Sequence, residues 1–543
     1  MRFRKTLNTA SPNGDLSAID PQIANSGDRV IAWFIPDMAL VFAITALLLL
    51  FFKFGGSTDL FGDSDTGWHI RDGERIIAAR ALPHDDPFSF SKPGEPWIAW
   101  EWGADALMGA TNRISGLGGV ALLYGLSIGV AVWMWFRLNR AAGGNLLIAG
   151  LLFFIMLPVT TIHWLARPHV LSWLFLLGTV WLCERVRYRV RWRQFALVAI
   201  STAVWANLHA SFFFAPLIFL TYAAGAYLKP LIWAPLPLGA RMEDAEEAAI
   251  QASWSRRGIS YISLAAAASV GSLLNPYGWR LHQHVLSYLS DSRLMKNIDE
   301  FQSFDFHSVG AFSVMIMLAV CVAGGFAALS ARKPERFLLS MLFTAVALRS
   351  ARALPVAALL VLPLANGSIT TVLSRAGNLA PGLRRWLDDA LGYGDRLDVI
   401  DRQLRGFAIV PLIAVLIFAS IRTSSGFPSE RLPVAASEIV ASLPANTRML
   451  APDTFGGYLI YRFNGGHKVF VDGRSDFYGT EFMERYARLM QVLPGWTQEF
   501  NRWSFTHALL PPDSPLISAL EANGWRELHR DKTAVLLTGK STI

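Results

Sequence analysis

The chain has 543 residues, of which 53% are hydrophobic and only 17% are charged. Because soluble domains carry about a quarter charged residues, this composition excludes an ordinary soluble protein and indicates a polytopic membrane protein. The net charge of +8 does not indicate nucleic-acid binding, because the arginines lie in short segments between apolar runs. The two cysteines, Cys183 and Cys321, lie in or at the end of such runs, which predicts neither a disulfide framework nor a cysteine metal site.

Apolar runs long enough to cross a bilayer core recur along most of the chain. We predict eleven membrane-spanning helices from where these runs begin and end. They are 31–53, 117–136, 146–162, 170–184, 195–207, 212–229, 258–274, 310–330, 337–349, 353–366 and 406–422. The spans and their connections form a predicted transmembrane domain over 31–427, with a long first outer loop at 54–116.

Basic residues predict the orientation of these spans. The polar tail 1–30 lacks the pattern of a cleavable signal peptide, and we expect it to be cytoplasmic. The segments that are then inside hold 24 Lys and Arg residues, against about ten in the outer loops, as the positive-inside rule requires. An odd number of spans then places the C-terminal region outside.

After residue 427 the composition becomes that of a soluble domain. Short strand patterns alternate with helix patterns, which predicts a small α/β domain over 428–543. The predicted strands are 448–451, 468–471, 507–510 and 534–537, and the predicted helices are 435–443, 481–493 and 515–523.

The first outer loop carries the most informative motif, DSDTGWH at 63–69, directly after the first span. Ionisable groups at the mouth of a span are costly to keep there, which makes them candidates for function. A second interpretation is that Asp63 or Asp65 caps a helix beginning near Gly67, since Asp is a favoured N-cap. His69 would lie one helical turn beyond Asp65, on the same face.

Two further acids of this loop are candidates for substrate binding. Asp86 precedes a proline, so turn formation is the alternative to contact with an acceptor or a metal ion. Glu101 lies between Trp100 and Trp102, and carbohydrate sites combine an aromatic face with a few placed polar groups. The alternative for the tryptophans is an aromatic belt at the membrane interface.

The other outer turns are rich in His, Arg and Asn, whereas the inner turns are simply basic. This asymmetry predicts an outward-facing active site. Arg167 is the lone Arg of a turn between apolar helices, so we expect it to pair with an anion. Each of these side chains could instead cap a span or extend toward the lipid headgroups. The substrate-binding candidates of the outer turns are His163, Arg167, His169, His209, Arg280, Arg349 and Arg352.

A span, an acidic motif at its outer end and then a loop rich in Pro and Trp resemble the GT-C superfamily of integral membrane glycosyltransferases. The stretch that matches is 63–109, where protein mannosyltransferases, aminoarabinose transferases and oligosaccharyltransferases have a similar Asp-bearing motif. The resemblance covers most of the chain and is specific at the level of the superfamily. A bacterial branch of such transferases also has tails similar to GGYL at 456–459 and VDGR at 471–474. Thr66 is a departure, because several relatives have Glu at this position.

The resemblance implies a GT-C-like fold of about eleven transmembrane helices and an inverting transferase in a bacterial inner membrane, with the C-terminal domain periplasmic. The sugar would move from a polyprenyl-phosphate donor to a lipid-linked glycan, a cell-surface polysaccharide or a protein. Such a transfer needs a base for the acceptor hydroxyl and positive charge beside the departing phosphate. We assign Asp65 as the base and Asp63 as a second acid that polarises it or holds a divalent cation. His69 either contacts the phosphate or hydrogen-bonds the Asp. The donor phosphate is expected near Arg167, Arg349 or Arg352.

The sequence leaves a metal ion open, because hard ligands for Mg²⁺ or Mn²⁺ are present but no ligand spacing is diagnostic. These ligands are Asp63, Asp65, Asp86, Glu101, His163 and His169.

Two rival functions also stay open at this point. One is a polysaccharide polymerase or O-antigen-ligase-like transferase, which moves a whole lipid-linked glycan. The other is a lipid-linked glycan transporter, which the lack of a convincing internal repeat disfavours. In each case the expected partners are a lipid-linked glycan or sugar donor and membrane lipids, and not nucleic acid.

Overall fold

The structure, a computed structural model, describes residues 32–53, 56–186, 190–233 and 243–539. The predicted cytoplasmic tail 1–30 lies outside these residues. The helices of the membrane part are α1 (Met38–Phe52), α2 (Asp65–Ala79), α3 (Trp102–Ala141), α4 (Leu146–Thr160), α5 (Pro168–Arg185), α6 (Trp192–Leu208), α7 (Phe214–Ile232), α8 (Glu243–Ser272), α9 (Trp279–Ser290), α10 (Ser292–Met295), α11 (Ala311–Ser330), α12 (Pro334–Arg349), α13 (Leu354–Arg375), α14 (Pro381–Asp401) and α15 (Val410–Ser424).

The molecule is a polytopic α-helical membrane protein. Six helices of the described chain are long and apolar enough to cross a membrane, and each contains or overlaps a predicted span. They are Ala32–Phe52, Trp102–Ala141, Leu146–His163, Ala210–Ile232, Ala311–Ser330 and Ala351–Arg375. The other five predicted spans fall on α5, α6, α8, α12 and α15, so the total of eleven stays a prediction.

Helix α3 has two parts, separated by a bend at Gly116. This residue has φ 62° and ψ −163°, a conformation that is accessible to glycine and strained for other residues. The bend lies next to residue 117, where the second span is predicted to begin, and that boundary stays a prediction.

Helix α2 is held in the outer loop by close glycine contacts. A Cβ built on Gly73 would collide with the backbone carbonyl of Asp105 on α3, and one on Gly109 would collide with the backbone of α2. On the other side of α2, a Cβ on Gly67 would collide with the carbonyl of Gly457. Because glycine has no side chain, the backbones of α2, α3 and the segment around Gly457 approach one another closely. This close approach sets the position of α2.

The C-terminal part combines helices with a small sheet. Its elements are α16 (Val434–Val440), β1 (Met449–Leu450), α17 (Asp453–Phe463), α18 (Ser475–Tyr478), α19 (Thr480–Met490), α20 (Trp496–Trp503), β2 (His507–Leu510), α21 (Pro515–Ala522), β3 (Arg526–Arg530) and β4 (Val535–Thr538). The strand order is β1-β2-β4-β3, with β1 parallel to β2 and the other pairs antiparallel.

The predicted strand at 468–471 is wrong. Val469 instead forms an isolated parallel bridge with Ser89 of the first outer loop. The Val469 N–H donates to the Phe88 carbonyl (3.1 Å), and the Phe90 N–H donates to the Val469 carbonyl (3.0 Å). The apolar pattern of this segment arises because it is buried between the outer loop and the C-terminal part.

A buried ion triad joins the same two regions. Arg474 donates from Nη2 to Asp472 (2.7 Å) and to Asp86 of the outer loop (2.8 Å). Asp86 also accepts hydrogen bonds from the backbone N–H groups of Phe88 and Ser89. Removing one partner of such a buried network leaves an unpaired charge, which is strongly destabilising. The triad therefore fastens the C-terminal part to the first outer loop.

Candidate active site

The turn that carries Arg167 is fastened to the first outer loop by its neighbour Ala166. The Thr66 hydroxyl donates to the Ala166 carbonyl (3.0 Å), and the Ala166 N–H donates to the Leu60 carbonyl (2.7 Å). Thr66, which stands where several relatives have Glu, thus makes a structural hydrogen bond. This fastening brings the Arg167 guanidinium to the start of α2.

Arg167 lies at the centre of a cluster of three carboxylates. Its Nη1 is 2.6 Å from Oδ2 of Asp63 and 3.3 Å from Oε1 of Glu300, and its Nη2 is 2.9 Å from Oδ2 of Asp65. The other carboxylate oxygen of Glu300 is 3.1 Å from Nη1 of Arg352. Three acids and two guanidiniums therefore form one cluster. Arg167 pairs with anions, as expected, and these anions are carboxylates of the chain itself.

The two acids of the motif have different positions at the start of α2. The helix begins at Asp65, two residues before the expected start near Gly67. Asp63 accepts the backbone N–H of Asp65 through Oδ1 (2.9 Å) and binds Arg167 through Oδ2. The N-cap is Ser64, so neither Asp caps the helix as the second interpretation held, although Asp63 accepts one backbone N–H at its start. Asp65 is only 7% exposed, and its carboxylate binds Arg167.

The C-terminal part contacts Asp65 directly through Gly473. A Cβ built on Gly473 would collide with both carboxylate oxygens of Asp65, so this position has no room for a side chain. Gly473 belongs to the loop that carries the buried ion triad. The orientation of the Asp65 carboxylate therefore depends on the docking of the C-terminal part.

A second group of ionisable side chains surrounds Glu101. His69 Nδ1 is 2.6 Å from Oδ1 of Asp105, and its Nε2 is 3.8 Å from Glu101. His209 Nε2 is 3.5 Å from the other oxygen of Glu101. His69 therefore hydrogen-bonds an Asp, as one of the two interpretations held, but this acid is Asp105 and not Asp65.

Members of both clusters border a cavity of about 1700 Å³ between the membrane part, the outer loops and the C-terminal part. Its polar lining contains nine of the predicted site residues, namely Asp63, Asp65, Glu101, His163, Arg167, His169, His209, Arg349 and Arg352. Its apolar wall is formed by Trp173, Leu176, Phe213, Phe214, Leu217, Leu342, Phe343, Val346 and Val356. A polar chamber thus continues into an apolar groove between α5, α7 and α12.

Three predicted binding residues are not among those lining the cavity. Arg280 lies on the exposed face of α9, so the structure does not bring it to the site. Asp86 is buried in the ion triad with Arg474, and its oxygens also cap the turn that the sequence suggested. His69 is fully buried behind Glu101, where it contacts Asp105.

Burial changes the proton affinity of the two cavity acids. It raises the pKa of Asp65 to about 8, although the neighbouring Arg167 guanidinium lowers it. Burial likewise raises the pKa of Glu101 to about 7, against the effect of Arg167 and Arg352. Both carboxyl groups can therefore exchange a proton near neutral pH. Burial also lowers the pKa of His69, so that its imidazole is neutral.

Within the described residues, no group of three or more His, Cys, Asp or Glu side chains is arranged to hold a metal ion. Asp63 and Asp65, which the sequence offered as ligands, both bind the Arg167 guanidinium. The geometry thus supplies a fixed cation between the two acids.

Sequence reasoning missed several residues of this region. They are Asp105 behind Glu101, and Glu300, Arg474 and Asp476 in the cavity lining. Asp105 had a usable signal, because it follows Glu101 by four residues and so lies on the same helical face. Glu300 and Arg474 had none, because the contacts that bring them to the site, with Arg167 and with Asp86, join segments more than a hundred residues apart.

No protein-family model matches the sequence, and no curated protein matches it. Solved structures do match. The archaeal oligosaccharyltransferase AglB from Archaeoglobus fulgidus, in complex with an inhibitory peptide and a dolichol-phosphate, matches with a TM-score of 0.51 at 12% identity. The match covers 87% of this chain and 69% of that one. This chain has the GT-C fold.

Two further structures of the A. fulgidus oligosaccharyltransferase also match. The form tethered to an acceptor peptide has a TM-score of 0.49 at 13% identity, covering 87% of this chain and 68% of that one. The apo form has a TM-score of 0.48 at 12% identity, with coverages of 87% and 69%. AglB is a member of the GT-C superfamily, so the predicted resemblance is confirmed for the fold of the chain.

Proposed function

We propose that this protein is an inverting glycosyltransferase that takes a sugar from a polyprenyl-phosphate donor at the outer face of the membrane. The observation that carries the proposal is the cavity in which the buried carboxylate of Asp65 lies beside an apolar groove. A donor that carries a polar reacting group on a lipid chain needs a polar site and an apolar groove next to one another. The fold shared with AglB, whose complex contains a dolichol-phosphate, agrees with a lipid-phosphate ligand.

The groove between α5, α7 and α12 suits the polyprenyl chain of the donor. Leu342, Val346 and Arg349 line the cavity at helical spacing along one face of α12, so the apolar face ends at a cation. Within the described chain Arg349 is exposed and has no ion pair. Arg352 follows one turn later and also lines the cavity. Two guanidiniums at the end of an apolar groove suit the phosphate of a lipid.

In the proposed reaction, an acceptor hydroxyl oxygen attacks the anomeric carbon as the bond from that carbon to the phosphate oxygen breaks. The hydroxyl proton passes to the Asp65 carboxylate, and the electron pair of the broken bond leaves with the polyprenyl phosphate. The guanidiniums stabilise the charge that develops on this phosphate. One displacement with one base inverts the configuration at the anomeric carbon.

The acceptor would approach from the side of the C-terminal part, which lines the cavity with Asp476, Tyr486 and Met490. A lipid-linked glycan, a cell-surface polysaccharide and a protein are the acceptor classes that we propose, and the inhibitory peptide bound by AglB agrees with the last. We further propose a bacterial inner membrane with the cavity on the periplasmic side. A divalent cation at Asp63 and Asp65 would have to displace Arg167 from both acids.

The test is the variant Asp65→Asn, measured as sugar transfer from a polyprenyl-phosphate sugar in reconstituted membranes. Loss of the general base lowers the transfer rate by about 10²–10⁴-fold while the protein still folds and binds the donor. The matched control is Asp85→Asn, because Asp85 is an exposed acid of the same loop and should transfer at the wild-type rate. An undiminished rate for Asp65→Asn refutes the assigned base.

The mass of the transferred glycan separates the proposal from its rival. A single sugar on the acceptor supports the proposed transferase, whereas a preassembled glycan supports a polymerase-like or ligase-like enzyme. Repeating the assay with EDTA, and with Mg²⁺ or Mn²⁺ restored, measures whether a divalent cation takes part.

A further inference from the structure

Glu300 has an unusual position for an acid in a site that is proposed to bind phosphate. Its Oε1 is 3.3 Å from Nη1 of Arg167 and its Oε2 is 3.1 Å from Nη1 of Arg352. The carboxylate thus bridges two guanidiniums, each through a different oxygen. Both arginines and Glu300 line the cavity beside its apolar wall.

The surroundings of Glu300 are strongly positive. Burial by itself would raise the pKa of Glu300, but Arg352 and Arg167 lower it to about 2, and His163 and His209 also face it. Asp63 and Asp65 compete for Arg167, but Arg352 has no ion-pair partner besides Glu300 within the described residues. Glu300 is therefore ionised at physiological pH and is the anion that neutralises Arg352.

Two hydrogen bonds join the segment that carries Glu300 to the turn before α13. The Ser350 hydroxyl donates to the Glu300 carbonyl (2.9 Å), and the Ala351 N–H donates to the Gln302 carbonyl (2.8 Å). These two bonds hold the segment against the turn before α13. They also place the acid next to Arg352 and hence at the end of the apolar groove.

An anion between two guanidiniums is the arrangement in which arginines bind phosphate oxygens. We propose that Glu300 occupies the position of the donor's phosphate, and that the lipid phosphate replaces it between Arg167 and Arg352. This inference rests on the proposed function and adds the residue that controls access to its donor site. In the donor this phosphate is a diester with a single negative charge, so it replaces the single charge of Glu300 and the two cations keep an anion between them.

An internal competitor weakens the apparent affinity of the ligand that it excludes. If the wild-type site is held by Glu300 for about nine-tenths of the time, removing the carboxylate strengthens phosphate binding about tenfold. The ligand is expected to be a phosphate attached to an apolar chain, because the groove begins beside Arg352. Inorganic phosphate should bind the same cations more weakly.

The experiment measures equilibrium binding of farnesyl phosphate to the full-length protein in lipid nanodiscs. Glu300→Gln is expected to bind it about tenfold more tightly than wild type. Asp305→Asn is the matched control, because Asp305 is an exposed acid of the same segment that does not line the cavity, so its affinity should equal that of wild type. Arg352→Gln should weaken binding in both the wild-type and the Glu300→Gln background.

Unchanged or weaker binding by Glu300→Gln overturns the inference, provided that thermal unfolding shows the variant to be folded. Glu300→Ser is a second variant that removes the carboxylate and should also bind more tightly. Inorganic phosphate is titrated in parallel, and an affinity equal to that of farnesyl phosphate contradicts the role of the groove.

Failure of the inference and failure of the proposed function give different results. Tighter binding by Glu300→Gln without sugar transfer by wild type retains the phosphate site and refutes the transferase. Transfer by wild type without tighter binding refutes the role of Glu300 alone. No binding of farnesyl phosphate to any variant contradicts both.

Discussion

Asp65 lies between influences that change its proton affinity in opposite directions. Burial raises the pKa of this carboxyl, the Arg167 guanidinium lowers it, and the nearby Asp63 carboxylate raises it again. With a pKa of about 8, Asp65 is protonated in slightly acidic solution and cannot then accept the proton of an acceptor hydroxyl. At higher pH the carboxyl group loses its proton and becomes a base whose pKa suits proton transfer near neutral pH.

The transfer rate should therefore fall as the pH is lowered through the pKa of Asp65. Asp63→Asn removes a neighbouring negative charge and leaves Arg167 free to bind Asp65 more closely, and both effects favour the ionised form. The pKa of Asp65 decreases, so the rising part of the pH–rate profile should move to lower pH by about one unit. The measurement is the transfer rate between pH 5.5 and 9.

Asp59→Asn serves as the control for this shift. Asp59 is an acid of the same loop whose charged neighbour is Arg431, and it does not line the cavity. Its profile should coincide with that of wild type. If Asp63→Asn leaves the midpoint unchanged, the group that limits the rate is not Asp65.

At the scale of elements, close backbone contacts at glycine residues position the parts of the site. The loop of Gly473 reaches Asp65 because it has no Cβ at this position, and Gly67 lets the start of α2 touch Gly457 on α17. The ion triad around Arg474 holds the same loop in place. The carboxylate of Asp65, the proposed base, is thus oriented by a segment that is about four hundred residues away along the chain.

Gly473→Ala should disable transfer without unfolding the protein. The added methyl group would collide with the Asp65 carboxylate, and a displacement of about 1 Å costs about 10²-fold in rate. The overpacking is expected to cost about 1–3 kcal/mol of stability, which thermal unfolding in detergent measures.

The matched control for this variant is Gly426→Ala, because a Cβ at Gly426 meets no atom within 4 Å. It should keep both the transfer rate and the unfolding temperature of wild type. Full activity of Gly473→Ala would show that the C-terminal loop does not position Asp65.

At the scale of the whole molecule, the cavity exists because two regions meet. The membrane part supplies Arg167 and the apolar groove, and the C-terminal part supplies Arg474, Asp476 and the wall formed by α19. The fully buried pair of Asp86 and Arg474 lies at this junction. Since the C-terminal part closes the cavity, both must lie on the same side of the membrane.

Cysteine labelling tests this orientation. The two native cysteines are buried, so a membrane-impermeant maleimide should label wild type poorly. Glu521→Cys lies on the exposed surface of the C-terminal part and should react in intact cells. Asp389→Cys lies on exposed α14, on the predicted inner side, and should react only after permeabilisation. The reverse pattern would place the active site in the cytoplasm and contradict the proposed function.

Much of the architecture could be predicted because its signals are local. Apolar runs located the six helices that are long enough to cross a membrane, and the motif at 63–69 placed Asp63 and Asp65 at the mouth of the first span. The prediction failed where burial came from distant contacts, as at 468–471, which pairs with the outer loop. Arg280 was selected for its outer turn, but the helical phase of α9 exposes it.

Residue types and their periodicity were enough to establish a polytopic membrane protein with acids and arginines on one side, because crossing a bilayer constrains every local stretch of chain. Which acids meet which arginines depended on folding. Glu300 reaches Arg167 and Arg352, and Gly473 reaches Asp65, through contacts between segments far apart in the chain. Such contacts leave no periodic pattern in the sequence, since they depend on how whole helices pack and not on the residues next to them.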